Sequence, residues 1–69
     1  MITKCLIVDD EPLAIEIIEN YINQLEGFEI VATCKNALQA FKVLEECHVD
    51  LLFLDIQMPQ LTGVDFVKL

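Results

Sequence analysis

The stretch Val49-Asp50-Leu51-Leu52-Phe53-Leu54-Asp55 constrains the chain most. It is an apolar run that ends on a carboxylate, and Ile56-Gln57-Met58-Pro59 then breaks it at a proline. Such a run reads as a strand buried on both faces, as in a parallel sheet covered by helices. Asp55 then stands at the strand's C-terminal tip, where open α/β sheets bind their ligands. A second apolar run, Lys4-Cys5-Leu6-Ile7-Val8, ends on Asp9 and Asp10. The three acids are expected to share one pocket, with Asp55 as the working group.

The rest of the chain alternates helix with strand. A first strand covers 4–8. Pro12, with an acidic residue before it as cap, opens a helix over about 12–25. Leu13, Ile17, Tyr21 and Leu25 recur every four residues, and Ala14, Ile18 and Ile22 widen that apolar stripe. Glu16, Glu19, Asn20 and Asn23 fall on the other side, and Gly27 marks the stop. Residues 28–34 form a second strand, β-branched in part, with Glu29 suggesting an edge position. Asn36 caps a second helix over 37–47, with Ala37, Ala40, Phe41, Leu44 and Cys47 on its buried side. His48 is a link with no assigned chemistry. The third strand covers 49–54, with Asp50 at its wet N-terminal end. After a loop over 55–62, Gly63 opens a third helix that runs to 69. The order β-α-β-α-β-α gives a parallel sheet with right-handed crossovers and no internal domain boundary.

Composition narrows the function. The net charge is −8, from 12 acids against 4 lysines and no arginine. Contact with nucleic acid or anionic lipid needs clustered positive charge, so this chain is not built for it, although a cation site is compatible. Most of the glutamates are read as a solvated surface. The hydrophobic fraction is 55% in 69 residues. A core of that size rarely supplies more than roughly 3–5 kcal/mol, so part of the apolar surface is expected to serve something outside the chain. Cys5, Cys34 and Cys47 form no C-x-x-C pair and read as free buried thiols in a reducing cytosol. No signal peptide or membrane span is visible, which places the chain in the cytoplasm.

If the first strand is central, the crevice of a doubly wound sheet falls between the first and third strands. Asp9 and Asp10 would then face Asp55. Three carboxylates that close repel, and must take up protons or bind a cation. A hard divalent ion such as Mg²⁺ suits them. A carboxylate at a strand tip can attack phosphorus to form an acyl phosphate while the metal offsets charge on the transferring group. Asp55 is placed as that nucleophile, and Asp9 and Asp10 as metal holders.

The segments Leu6-Ile7-Val8-Asp9-Asp10-Glu11-Pro12 and Leu52-Phe53-Leu54-Asp55-Ile56-Gln57-Met58-Pro59-Gln60-Leu61-Thr62-Gly63 resemble the receiver domain of two-component response regulators. The wording is most similar to regulators of the LytTR type, which carry a separate DNA-binding domain. The resemblance implies a flavodoxin-like α/β fold of three layers, represented in residues 1–69 by β1-α1-β2-α2-β3 and the start of a third helix. It implies that Asp55 accepts a phosphoryl group from a sensor histidine kinase. Mg²⁺ would be held directly by Asp10, through water by Asp9, by Asp55, and by the backbone carbonyl of Gln57. Thr62 and Gly63 would shape the start of the third helix. The module would be regulatory rather than an enzyme, reaching DNA only through an output domain outside this segment.

Receivers continue for two more strands, bearing a hydroxyl residue and a lysine that contact the phosphoryl group. Neither can be matched here. The third strand is therefore expected to present a bare edge through which the chain self-associates. The alternative function is an inert receiver fragment that acts only as a self-associating piece. A haloacid-dehalogenase-like phosphohydrolase needs a second acid two residues after the nucleophile, where Gln57 stands. A nucleotide-binding domain fails because Gly27 and Gly63 are the only glycines, and no Gly-rich loop exists.

Overall fold

A computed structural model describes residues 1–54 and 66–68, the last three by their backbone. The elements are β1 (Thr3–Val8), α1 (Pro12–Asn23), β2 (Phe28–Cys34), α2 (Ala37–Glu46), β3 (Leu51–Leu54) and β4 (Phe66–Lys68). The sheet order is β2-β1-β3-β4. β1 is the central strand expected, parallel to β2 on one side and to β3 on the other. β1 and β3 run in register from Cys5↔Leu51 to Val8↔Leu54. The β1–β2 ladder shifts by one residue at Cys5/Leu6, where Cys5 pairs with Ile30 and Leu6 with Ala32. Val31 is thus the extra residue of a bulge, and both Val31 and Ala32 pack against the core on the α2 side.

Each helix covers one face of the sheet. Cys5 and Ile7 of β1 pack with Ile15 and Ile22 of α1. Leu6 and Val8 point the other way, into a cluster with Ala40 of α2, Cys34, Val49 and Leu54. This is the period-two alternation of a strand covered on both faces. Leu6 and Ile7 are fully buried, and each contributes about 1.5–3 kcal/mol of apolar transfer.

α1 departs from the expected orientation. Leu13, Ile17, Tyr21 and Leu25 are exposed, while Ile15 and Ile22 are buried and Ala14 and Ile18 half-buried. The helix is apolar on two adjacent flanks, and the flank read as secondary is the one that docks. Glu11 occupies the N-cap in extended geometry, but its side chain makes no capping bond, contrary to the expected acidic cap. α1 also ends earlier than expected, at Asn23. Gly27 follows in the turn with φ of 82°, and its carbonyl accepts the Thr3 N–H at 2.7 Å. Positive φ there explains the glycine without its being the helix stop.

α2 is capped as expected. Asn36 accepts the Gln39 N–H at 2.9 Å, a bond whose loss costs about 1 kcal/mol. Ala37 and Ala40 are buried, and Leu44 half-buried, but Phe41 and Cys47 are exposed. The small alanines let the helix sit close to the sheet, which rotates Phe41 outward. Cys5 and Cys34 are buried thiols, and Cys47 is not.

The third helix expected from Gly63 is corrected over Phe66–Lys68, which form a strand antiparallel to β3, with Leu52↔Val67 and Phe53↔Phe66 paired. A helix of so few residues gains few backbone bonds. Phe and Val favour strands, and β3 offers a row of unpaired backbone groups. The β3 edge is therefore covered, and the bare edge expected to drive self-association is not there. The outer strands are β2 and β4. The remainder of that expected helix, with Thr62 and Gly63, lies outside the described residues. Among the described residues no helix is long and apolar enough to cross a membrane.

Candidate functional site

The C-terminal tip of β1 carries Asp9 and Asp10. Asp9 continues the sheet by one bond, its N–H donating to the Cys34 carbonyl at 2.9 Å. Its side chain is buried, and Oδ1 accepts the Glu11 N–H at 2.9 Å, closing the turn into α1. This is an Asx-type turn, and it aims the second acid outward. Asp10 lies exposed in the bend before Pro12. The sequence thus makes one acid an anchor of the turn and leaves the other facing solvent.

Asp55 and Gln57 lie outside the described residues. The strand leading to Asp55 is nevertheless fixed. Leu54 is paired with Val8 in the β1–β3 ladder, so the residue before Asp55 is level with the residue before Asp9. α1 and α2 sit on opposite faces, and β1 and β3 are neighbours. The crevice of a doubly wound sheet therefore opens at this end, between these two strands. Among the described residues no three acids, cysteines or histidines form a metal-holding group. Asp9 and Asp10 supply hard oxygen donors that fit a divalent cation as part of a larger set.

The other end of the sheet holds a polar cluster that sequence reasoning did not assign. Asp50 Oδ2 accepts the Lys4 N–H at 2.9 Å, and the Asp50 N–H donates to the Lys4 carbonyl at 2.8 Å. His48 Nε2 donates to Asp50 Oδ1 at 2.6 Å. The Lys4 N–H above all, and then His48, hold the Asp50 carboxyl below the usual carboxylate range. The signal available in the sequence was an acid two residues after a histidine, just where a buried strand begins. An open concavity of about 690 Å³ lies beside this cluster, lined in part by Met1, Phe28 and His48. It is at the wrong end of the strands to serve Asp9 and Asp10.

A parallel β2-β1-β3 order, helices on both faces and an acid pair at the central strand's tip define a receiver-type α/β module. The sequence comparison agrees: the family model described as response regulator receiver domain matches residues 5–69, and the chain belongs to that family. It is 44% identical over 64 residues to the transcriptional regulatory protein BtsR of Escherichia coli K12, covering 93% of this chain and 27% of that protein. It is 41% identical over 66 residues to an uncharacterized response regulatory protein of Yersinia pestis, covering 96% and 28%. A response regulatory protein of Shewanella oneidensis is 41% identical over all 69 residues, which cover 29% of it. The chain thus spans under a third of these relatives. No solved structure matches it.

Proposed function

We propose that the chain is the phosphoacceptor module of a two-component response regulator. Asp55 accepts a phosphoryl group from a sensor histidine kinase: its carboxylate attacks phosphorus, an acyl-phosphate O–P bond forms, and the P–N bond to the kinase's phosphorylated histidine breaks with the imidazole as leaving group. Asp10, Asp9, Asp55 and the Gln57 carbonyl would hold Mg²⁺, which would offset negative charge on the phosphoryl oxygens. In this chain the buried Asp9 fixes the turn and keeps Asp10 presented towards the crevice. The observation that carries the reading is the level pairing of Val8 with Leu54, which sets the described C-terminal ends of β1 and β3 side by side. The covering of β3 by β4 weighs against the alternative of a fragment that acts only through a bare β3 edge. Output on DNA, as in LytTR-type regulators, belongs to a separate domain, since this segment is strongly acidic.

Titration with Mg²⁺ followed by beryllofluoride tests the pocket. The expected result is saturable Mg²⁺ binding that weakens at least tenfold in Asp10→Ala, with beryllofluoride bound only when Mg²⁺ is present. Binding unchanged by Asp10→Ala would contradict the assignment.

A further inference from the structure

Among the described residues, the outer edge of β2 pairs with no other strand. β2 spans 7 residues, against 3 in the opposite outer strand, β4. It holds no proline or lysine, and its one charge is Glu29. Such an edge offers a row of backbone donors and acceptors to another strand. Beside it lies a groove of about 410 Å³, lined in part by Ala32 and Cys34 of β2 and by Gln39, Lys42, Val43 and Glu46 of α2. No described residue of β1 or β3 lines it, so it opens at the outer side of the sheet.

Charge is graded along this flank. Ile30 and Leu51 are both level with Cys5, so α2, which joins the end of β2 to the start of β3, runs back towards the start of β2. Glu46, at the C-terminal end of α2, therefore lies towards Glu29. Lys42 stands one turn closer to the end where Lys35 follows β2. Ile30 packs on the α1 side, so its neighbour Glu29 is on the α2 face. All four charged residues are exposed, and the one ion pair among the described residues, His48–Asp50, engages none of them.

A flank that is acidic towards one end and basic towards the other complements itself when turned end for end. We infer that the occupant of the β2 edge is a second copy of this chain, paired antiparallel through β2 about a two-fold axis. The two sheets then join, and the two α2 helices lie side by side over the junction and fill the groove. Lys42 of each copy meets Glu46 and Glu29 of the other. The bulge selects the register. Val31 and Ala32 both pack on the α2 side, whereas Ile30 is on the α1 side, as is Thr33, the partner of Ile7. Opposed residues of an antiparallel pair share a face. Setting Val31 against Ala32 of the other copy also sets Ile30 against Thr33 and Glu29 against Cys34, so the faces match along the whole strand. The net charge of −8 opposes association at long range, and the local pairs offset it at contact. The contact is isologous, so it closes at a dimer.

Light scattering across a concentration series, on the 69-residue chain, tests this with two variants. Lys35→Glu/Lys42→Glu makes the flank wholly acidic, and Glu29→Lys/Glu46→Lys makes it wholly basic. The sites are exposed, and circular dichroism verifies that each variant is folded. The wild-type mass should rise with concentration to that of a dimer and stop there. Each variant alone should dimerise at least about tenfold more weakly, because like charges then face each other. The two variants mixed should recover the dimer. That mixed dimer carries the same total charge as the wild-type one, so net charge does not explain the recovery. Hydrogen exchange of the β2 amides should slow as the dimer forms. A wild-type chain that stays monomeric leaves the edge to a different partner and overturns the proposal. So do variants that each dimerise like wild type, a mixture that fails to pair, or a dimer that leaves the β2 amides unprotected.

Discussion

Lys4 and Asp50 grip each other through both ends of one backbone unit. The Lys4 N–H donates to the Asp50 carboxylate, and the Lys4 carbonyl accepts the Asp50 N–H. This pair ties the start of the central strand to the start of β3, and the ladder above it delivers Leu54 level with Val8. The grip is electrostatic at one end, so it titrates. The folded-state pKa of Asp50 is depressed. Its stabilisation is therefore complete above the unfolded value, about 3.9, and is lost as pH falls through the depressed one. Wild type should lose stability over that acid window more steeply than Asp50→Ala. Asp50→Asn, which keeps an acceptor for the Lys4 N–H, should melt between the two at neutral pH. Thermal melts from neutral to acid pH check this, and parallel curves for wild type and Asp50→Ala would contradict it.

The two flanks of α1 predict opposite outcomes for the same truncation. Ile22→Ala, on the flank of α1 that docks on the sheet, should cost about 2–5 kcal/mol, much of the stability of so small a domain. Leu13→Ala and Tyr21→Ala remove exposed side chains and should stay within about 0.5 kcal/mol. Urea unfolding, run dilute so that association does not contribute, measures the difference.

That contrast also shows where sequence periodicity loses its hold. The two inner strands were legible because an unbroken apolar run has few alternatives, and β1 and β3 stand where those runs lie, although β3 is only half-buried except at Leu54. On α1, Leu13-Ile17-Tyr21 and Ile15-Ile18-Ile22 are both apolar at helical spacing. Which one faces the sheet depends on the angle at which Pro12 and the Asp9 turn launch the helix, and no helical period records that angle. Phe66-Val67-Lys68 was misread for a related reason: its choice between helix and strand is made by the edge of β3, far away in sequence. The acid pair at the tip of β1 was legible from spacing alone. The division of labour between buried Asp9 and exposed Asp10 was not, because it depends on one bond to the Glu11 N–H.

Gly27 should resist replacement for a backbone reason only. Its φ of 82° is unfavourable for L-residues, but an added Cβ would meet only the Met1 carbonyl oxygen at 3.7 Å, an ordinary contact. Gly27→Ala should cost about 1–2 kcal/mol, and Gly27→Asn less, since Asn tolerates the left-handed region. Equal losses in the two variants would point to a steric cause.

The three thiols should separate by reactivity. Cys47 is exposed. Burial pushes the Cys5 thiol up, and the negative Asp50 adds to it; burial alone pushes Cys34 up. The thiolate is the reacting species. Alkylation of the native chain should therefore modify Cys47 first, by at least tenfold in rate, with Cys5 and Cys34 following only on unfolding. Mass mapping of the labelled chain at successive times reads the order.

The most direct test of the phosphoacceptor assignment is intact-mass measurement of the chain incubated with acetyl phosphate and Mg²⁺. A gain of one phosphoryl group is expected. It should be absent when Mg²⁺ is chelated, absent in Asp55→Ala, and at least tenfold slower in Asp10→Ala. No gain in a folded chain, or a gain that persists in Asp55→Ala, would contradict the assignment.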